Sequence, residues 1–392
     1  MDFNIPEDMK MLQTLARDFV NDQLVPLERE LLGREADLEG VKRRLVPEKE
    51  VELARMAKEL GLWALNVPEE LGGAGLDVLG VCLVEEELSK TIIPFKFGDV
   101  TPILFDCSEE QKKDYLLPLV KGEKSACLAL FEPEAGAGPT AVQMQARKTD
   151  SNYILNGNKV AFTSDNNVDF AIVFAVTTPQ KGPREGITCF LVDSGTPGFT
   201  VGWDGIRSGW EAQVAQPLSL IFENCKVPAS KILGEEGKAF RLGNKWLPAR
   251  RIVRGARCVG AALRLLDTSV EHVKSWQSYG QTIAGWPNMR MALADISTDI
   301  QAARLMVYQA ACKADDGQDV RYEAAMVKVF TTEMLKRTAA RAVLIKGGPA
   351  PAKELPLEIL CRSMLVSHIA EHALEVQKSI IASNILKAAA IL

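Results

Sequence analysis

The chain has 392 residues, which is long enough for two or three domains that each bury a substantial core. Hydrophobic residues make up 47% and charged residues 25% of the sequence, so an intrinsically disordered chain is excluded. The formal net charge of -5 argues against a long nucleic acid as the main partner.

The cysteines and the first residues indicate the compartment. The eight cysteines are spaced far apart and none forms a C-x-x-C pair, so we expect neither a zinc ribbon nor a disulfide framework. The first residues, MDFNIPEDMKMLQ, carry acids and lack a basic segment followed by an apolar one. No apolar run reaches the roughly 18 residues of a membrane-spanning helix. These features predict a cytoplasmic protein that does not enter a membrane.

The first region, residues 1–124, shows a helical pattern of apolar residues. Leu12, Leu15 and Phe19 fall on one stripe of a helix predicted over 7–30. Similar patterns predict helices at 48–61, 78–91 and 109–120. We therefore expect an N-terminal helical domain.

The second region, residues 125–235, has the pattern of short strands. The runs DFAIVFAV and ITCFLVD are dense in β-branched and aromatic residues, and turn residues separate such runs. Asn156-Gly157 stands between two strand-like pieces, which predicts a hairpin turn there. Five to seven closely spaced strands without intervening helices favour a central antiparallel β sandwich or barrel.

Long helical patterns return in the third region, residues 236–392. We predict helices at 238–278, 287–315, 319–346 and 357–389, separated by loops rich in glycine and aspartate. In the second of these, Ile296, Ile300 and Ala303 show the helical spacing. Four long helices with short connections predict a C-terminal antiparallel four-helix bundle.

Two short motifs suggest binding sites that their context does not support well. Gly136 and Gly138 resemble a dinucleotide fingerprint, but Pro139 and an alternating run follow where a helix would be needed. His368 and His372, with Glu371 between them, spell the H-x-x-E-H signature of some zinc proteases. A third zinc ligand is not evident in the twenty residues that remain. The alternative for this segment is a pair of polar helix residues beside a functional carboxylate.

A cluster of four arginines lies early in the first helix of the third region, at Arg250, Arg251, Arg254 and Arg257. The first, third and fourth share one helix face. Such a cluster is commonly a solvated basic face, and the alternative is a clamp for a phosphate or carboxylate.

The order of motifs along nearly the whole chain resembles the acyl-CoA dehydrogenase family. The resemblance is carried by LGLWALNVPEELGGAGL at 60–76, FEPEAGAG at 131–138, YILNGNKVAFTS at 153–164, LIFENCKVPASKILGEEGKAF at 220–240 and GGPAPAKELPLE at 347–358. It implies the three-part fold described above. It also implies an FAD-dependent enzyme that desaturates an acyl-CoA thioester between Cα and Cβ.

The resemblance assigns roles to individual residues. Glu371, in Ala370-Glu371-His372-Ala373, falls at the catalytic base that removes the α-proton, and the β-hydrogen leaves as hydride to the flavin. Substrate contacts fall at Ala137, Arg251 and His372. Cofactor contacts fall at Leu128, Phe131, Ala161, Phe162, Thr163, Trp276, Tyr279, Gly347 and Gly348.

Several of these positions depart from the family pattern. Phe131 stands where a hydroxyl is preferred, Ala161 replaces a tryptophan, and Trp276 replaces an arginine that binds the FAD pyrophosphate. Losing one charge-assisted phosphate contact costs about 1.5–3 kcal/mol, so FAD affinity is in question. The alternative is therefore a family member without flavin that serves as a structural partner subunit. The resemblance also implies a homo- or hetero-oligomer, such as a tetramer, and an electron-transferring flavoprotein as redox partner.

Overall fold

The computed structural model describes residues 5–35, 45–133, 142–163, 168–202, 216–352, 355–369 and 373–389. Its internal contacts divide the chain into two compact units. The helical unit comprises Met1–Leu62, Leu76–Phe95 and Pro248–Leu392, and the sheet unit comprises Trp63–Gly75 and Lys96–Leu247. The predicted division into domains 1–124, 125–235 and 236–392 stays a prediction.

The α-helices within the described residues are, in chain order, α1 Glu7–Phe19, α2 Glu28–Glu35, α3 Pro47–Glu59, α4 Val78–Leu88, α5 Glu109–Gln111, α6 Leu117–Lys121, α7 Gly182–Glu185, α8 Ala239–Ser275, α9 Pro287–Asp315, α10 Arg321–Lys346, α11 Pro356–Ile369 and α12 Leu374–Ala389. Across the described ranges, none of the helices combines the length and the apolar character that crossing a membrane demands.

Three of the four long C-terminal helices follow the predicted pattern. The predictions over 238–278, 287–315 and 319–346 are confirmed as α8, α9 and α10, although α8 already ends at Ser275. The prediction of one helix over 357–389 is wrong, because the segment contains two helices, α11 and α12, and Ala373 before α12 is not helical. The segment predicted as one helix over 7–30 is interrupted instead, because α1 passes into a π-turn at Val20–Leu24 and a 3₁₀ turn at Val25–Leu27 before α2 begins. Pro26 lies in that 3₁₀ turn and has no amide proton for a helical hydrogen bond.

In the helical unit, α4 is surrounded by other helices and buries charged residues. Its three consecutive glutamates are 0 to 9% exposed. Each forms an ion pair with a different helix: Glu85 with Arg257 of α8, Glu86 with Arg304 of α9, and Glu87 with Arg17 of α1. Buried carboxylates need such partners, since burying an unpaired charge is costly.

Helix α8 approaches its neighbours closely at two glycines. A Cβ added at Gly260 would lie 2.0 Å from the carbonyl oxygen of Glu86, and one at Gly255 would lie 2.5 Å from Val327. Any larger residue would push the helices apart at these positions. The glycines therefore set the distance at which α8 packs on α4 and on α10.

Within the described residues, the sheet unit is built on eight strands. They are β1 Ala126–Ala129, β2 Gln145–Thr149, β3 Asn152–Thr163, β4 Phe170–Val176, β5 Ile187–Asp193, β6 Phe199–Gly202, β7 Gln216–Pro228 and β8 Ile232–Leu233. The order is β6-β7-β3-β2-β4-β5-β8, with β1 paired to β4. Antiparallel pairing predominates, as predicted, and the contacts of β4 with β1 and with β2 are parallel. Separately, the helical unit contains a two-stranded hairpin, β9 Gln277–Ser278 and β10 Gln281–Thr282.

The hairpin predicted at Asn156-Gly157 is wrong. Strand β3 continues through both residues, and the register with β7 shifts between Leu155 and Gly157, which marks a β-bulge. Gly157 has a φ of 142°, and an added Cβ would lie 2.9 Å from the Met144 side chain. The glycine is thus required by the bulge and by close packing, whereas the turn between β2 and β3 lies at residues 150–151.

Two apolar clusters enclose the sheet. One contains Tyr153 and Phe190, whose rings lie 5.1 Å apart, together with Ala161 and Leu155. The other packs Tyr115, which precedes α6, against Phe170 of β4. Both faces of the central strand β4 are therefore buried, which explains its continuous apolar sequence.

Candidate functional site

A buried ion pair organises one end of the sheet unit. Lys159 of β3 is fully buried, and its Nζ lies 2.7 Å from Oε1 of Glu132 and 3.1 Å from the carbonyl oxygen of Leu130. The Glu132 carboxylate also accepts the backbone amides of Gln143 at 3.0 Å and Met144 at 2.9 Å. Burial lowers the pKa of Lys159, and the hydrogen bond and charge of Glu132 offset part of that effect.

The predicted flavin contacts of the sheet unit lie beside this pair. Phe131 bridges Val160 of β3, whose amide donates to its carbonyl oxygen at 2.9 Å. Ala161 is fully buried in the first apolar cluster, and Leu128 pairs with Ile172 in the β1–β4 contact. The structure thus brings the ends of β1 and β3 together, and the assignment of these residues to the flavin stays a prediction. Phe162 and Thr163 complete β3.

The arginine cluster is not a simple solvated face. Arg251 is only 7% exposed. Arg257 forms two hydrogen bonds to Glu85, at 2.8 and 2.6 Å, and so serves to hold α8 against α4. Arg251 is the member of the cluster that the resemblance assigns to substrate.

The predicted cofactor contacts of the helical unit gather near the C-terminal ends of α8 and α10. Trp276 follows α8, and its ring lies 5.2 Å from that of His272. Burial lowers the pKa of His272, and the charge of Lys346, the last residue of α10, adds to this effect. Gly347 follows Lys346 directly, so Trp276 and Gly347 belong to the same end of the unit.

The exposure of Trp276 and Tyr279 and the open space at Gly347 and Gly348 are compatible with a bound FAD. Gly347 has a φ of 66°, and an added Cβ at Gly347 or Gly348 would meet no atom within 4 Å, which leaves the backbone open to a ligand. Trp276 is 49% and Tyr279 94% exposed, so both offer aromatic surface to a ring. An indole cannot neutralise a pyrophosphate as the expected arginine would. Any contact of these residues with FAD would therefore come from stacking on Trp276 or Tyr279 and from the accessible backbone at Gly347 and Gly348.

Three predicted residues, Glu371, His372 and Ala137, lie outside the described residues, as do Gly136 and Gly138. The nearest described titratable residue to Glu371 in the sequence is His368, near the end of α11. Its Nδ1 lies 3.3 Å from the carbonyl oxygen of Met364, and its Nε2 lies 3.8 Å from Glu333 of α10. In the part of the chain that the structure describes, no three metal-binding side chains gather into a site.

The sequence reasoning missed the functional interest of Glu132 and Lys159. A signal was available, because Lys159 stands in register with Tyr153, Leu155 and Ala161 on the inward face of β3. A lysine on an inward face requires an acidic partner.

Comparison with known proteins identifies what the chain is similar to. Three family models match in order: the acyl-CoA dehydrogenase N-terminal domain over residues 6–123, the middle domain over 127–219 and the C-terminal domain over 239–386. The short-chain specific acyl-CoA dehydrogenase of Rattus norvegicus mitochondria is 32% identical over 390 residues, covering 98% of this chain and 91% of the relative.

Solved structures agree with the sequence comparison. The butyryl-CoA dehydrogenase of Megasphaera elsdenii has a TM-score of 0.86 and 32% identity, covering 98% of this chain and 100% of that one. A structure described as the electron transferring flavoprotein of Acidaminococcus fermentans has a TM-score of 0.85 and 31% identity, with coverage of 98% and 100%.

Proposed function

The chain belongs to the acyl-CoA dehydrogenase family, and we propose that it oxidises an acyl-CoA thioester between Cα and Cβ with FAD as cofactor. The observation that carries this proposal is the match of all three family domains, in order, over nearly the whole chain. The expected fold is present in both units, and the described cofactor positions are compatible with FAD. When bound, FAD supplies the two-electron acceptor for the β-hydrogen.

Glu371 is the proposed catalytic base. The α-proton of a thioester is weakly acidic, so the base must be close to it and shielded from water. A carboxylate held in such a place has a raised pKa and is a stronger base toward carbon. The carboxylate of Glu371 would take the α-proton while the thioester carbonyl is polarised by hydrogen-bond donors.

Arg251 is the proposed substrate-side arginine. Its guanidinium keeps its charge at any physiological pH, and its near-complete burial within α8 fixes its position. A buried arginine suits an anionic or strongly polar group of the substrate. Substitution of Arg251 by Met is expected to weaken acyl-CoA binding or turnover.

In the sheet unit, the backbone around Phe131 and Thr163 would face the flavin. In the helical unit, Trp276, Tyr279 and the open backbone at Gly347 would be FAD contacts. A family member without flavin, the second possibility raised by the sequence, is not favoured, because a relative that matches 98% of this chain is itself named as a dehydrogenase.

The proposal extends to partners and compartment. An electron-transferring flavoprotein is the proposed acceptor of the electrons, supported by the similarity to the Acidaminococcus structure. An oligomer is proposed because large apolar side chains such as Tyr279, Leu344 and Leu386 are exposed on the helical unit. All eight cysteines lie within the described residues and none is in a disulfide, which supports the proposed cytoplasmic location.

Titration of the purified protein with acyl-CoA under anaerobic conditions tests the function. Oxidised flavin absorbance should be present and should bleach on addition of a suitable acyl-CoA. The Glu371→Gln variant should retain FAD and lose the bleaching. Glu375, which is exposed on α12, provides the matched control, and Glu375→Gln should bleach normally. A protein that stays colourless with excess FAD would overturn the proposed function.

A further inference from the structure

The Glu132–Lys159 pair joins three separate stretches of the sheet unit. Through its Nζ, Lys159 holds the carbonyl of Leu130, which follows β1, against β3. Through its carboxylate, Glu132 holds the amides of Gln143 and Met144, which precede β2. The lysine side chain is 0% and the glutamate side chain 10% exposed, so the ion pair is largely shielded from water.

These contacts lie beside the positions assigned to the flavin. Lys159 precedes Ala161 by two residues on the same face of β3, and Glu132 follows Phe131 directly. The amide of Val160, which lies between Lys159 and Ala161, donates a hydrogen bond to the carbonyl oxygen of Phe131. A displacement of the pair would therefore change the spacing between the ends of β1 and β3.

We propose that Glu132 and Lys159 are a positioning pair, which fixes the ends of β1 and β3 at the spacing that FAD requires. The inference rests on the proposed function and deepens it. The pair does not touch reacting atoms, and it acts through the backbone of residues 130–132 and 160–163.

The hydrogen bonds of the Glu132–Lys159 pair explain why an ion pair stands at this position rather than two apolar residues. An apolar pair of similar volume can recover part of the stability, because it removes the desolvation penalty of two ions, although the carbonyl of Leu130 and the two amides lose their partners. It cannot bind a carbonyl and two amides in fixed directions, as the ions do. Stability and positioning can therefore be separated by substitution.

The experiment compares single and double variants of the full chain. In Lys159→Met the carboxylate is left buried without its cation, and we expect both thermal stability and FAD affinity to fall. In the double variant Glu132→Leu/Lys159→Met we expect the melting temperature to return toward that of the wild type. FAD affinity should remain weaker than that of the wild type by about tenfold or more, because the hydrogen bonds from the pair to the backbone are absent. Far-UV circular dichroism of the apoprotein measures the melting temperature, and quenching of FAD fluorescence measures the FAD affinity.

An exposed pair of the same unit gives the matched control. Lys148 and Glu236 form an ion pair at 3.0 Å, with side chains 59% and 38% exposed. The double variant Lys148→Met/Glu236→Leu should bind FAD as the wild type does. If the Glu132→Leu/Lys159→Met protein also bound FAD with wild-type affinity, the positioning role would be refuted while the proposed function stood. A wild-type protein that binds no FAD would instead overturn both.

Discussion

The close approach of α8 to α4 makes a quantitative prediction for Gly260→Ala. The new methyl group would lie 2.0 Å from the carbonyl oxygen of Glu86 and 3.0 Å from the Cβ of Ser89. Contacts of this length are prohibited, and the nearest obstacle is backbone, which cannot rotate away. The two helices must therefore move apart by more than about 1 Å, which loosens packing that is otherwise close.

Two opposing effects determine the magnitude. Alanine in place of glycine inside a helix stabilises it by roughly 0.5–1 kcal/mol. Overpacking a filled core costs about 1–3 kcal/mol, and the cost is highest where the backbone must shift. Because the clash here involves backbone, we expect the free energy of unfolding to fall by about 2 kcal/mol in total.

A second glycine of α8 provides a control of opposite sign. A Cβ added at Gly243 would make only an ordinary contact, at 3.7 Å from Leu247. Gly243→Ala should therefore stabilise the protein by up to about 1 kcal/mol. Urea unfolding followed by far-UV circular dichroism measures both variants. If Gly260→Ala were as stable as Gly243→Ala, the inferred helix contact would be wrong.

Three further predictions follow from the charged and thiol groups. Glu86→Leu leaves Arg304 without its buried carboxylate and should reduce stability by about 3 kcal/mol in urea unfolding, and the added change Arg304→Met should recover part of the loss. Burial would raise the pKa of the Asp299 carboxyl, but hydrogen bonds from two arginines of α10 lower this pKa overall. The contribution of Asp299 to stability is therefore complete above its unfolded pKa and is lost as the pH falls through the lower folded pKa. Asp299→Asn should therefore flatten the decline in the free energy of unfolding below about pH 4, by no more than about 1 kcal/mol in urea unfolding, and an unchanged decline would contradict the assignment. Cys312 is the exposed cysteine, and a thiol reagent should label it before the buried ones, although burial and nearby acids raise the pKa of its thiol and slow the reaction.

The large elements could be predicted from the sequence because their patterns are local. Helix α9 begins and ends where the prediction places it, with Pro287 as its first residue and apolar residues at helical spacing. The hairpin at Asn156-Gly157 was wrong for a physical reason. The same dipeptide that favours a tight turn also suits a bulge, and only the packing against Met144 decides between them.

The candidate site was less accessible to sequence reasoning. The pair of Glu132 and Lys159 depends on residues 27 positions apart that meet only when β1 and β3 are aligned. Likewise, Arg257 looks the same as Arg251 in the sequence, yet Glu85 binds the former. The contact of Arg257 with Glu85 depends on the tertiary packing of α8 against α4, which the spacing of the arginines along the helix does not reveal.

The three adjacent carboxylates of α4 constrain how this helix can change in evolution. Successive residues of a helix point about 100° apart, so Glu85, Glu86 and Glu87 can reach three different helices only at one rotation of α4 about its axis. Insertion or deletion of one residue ahead of them would turn all three away from their arginines at once. Length changes in this part of the chain should therefore be confined to the loops on either side of α4.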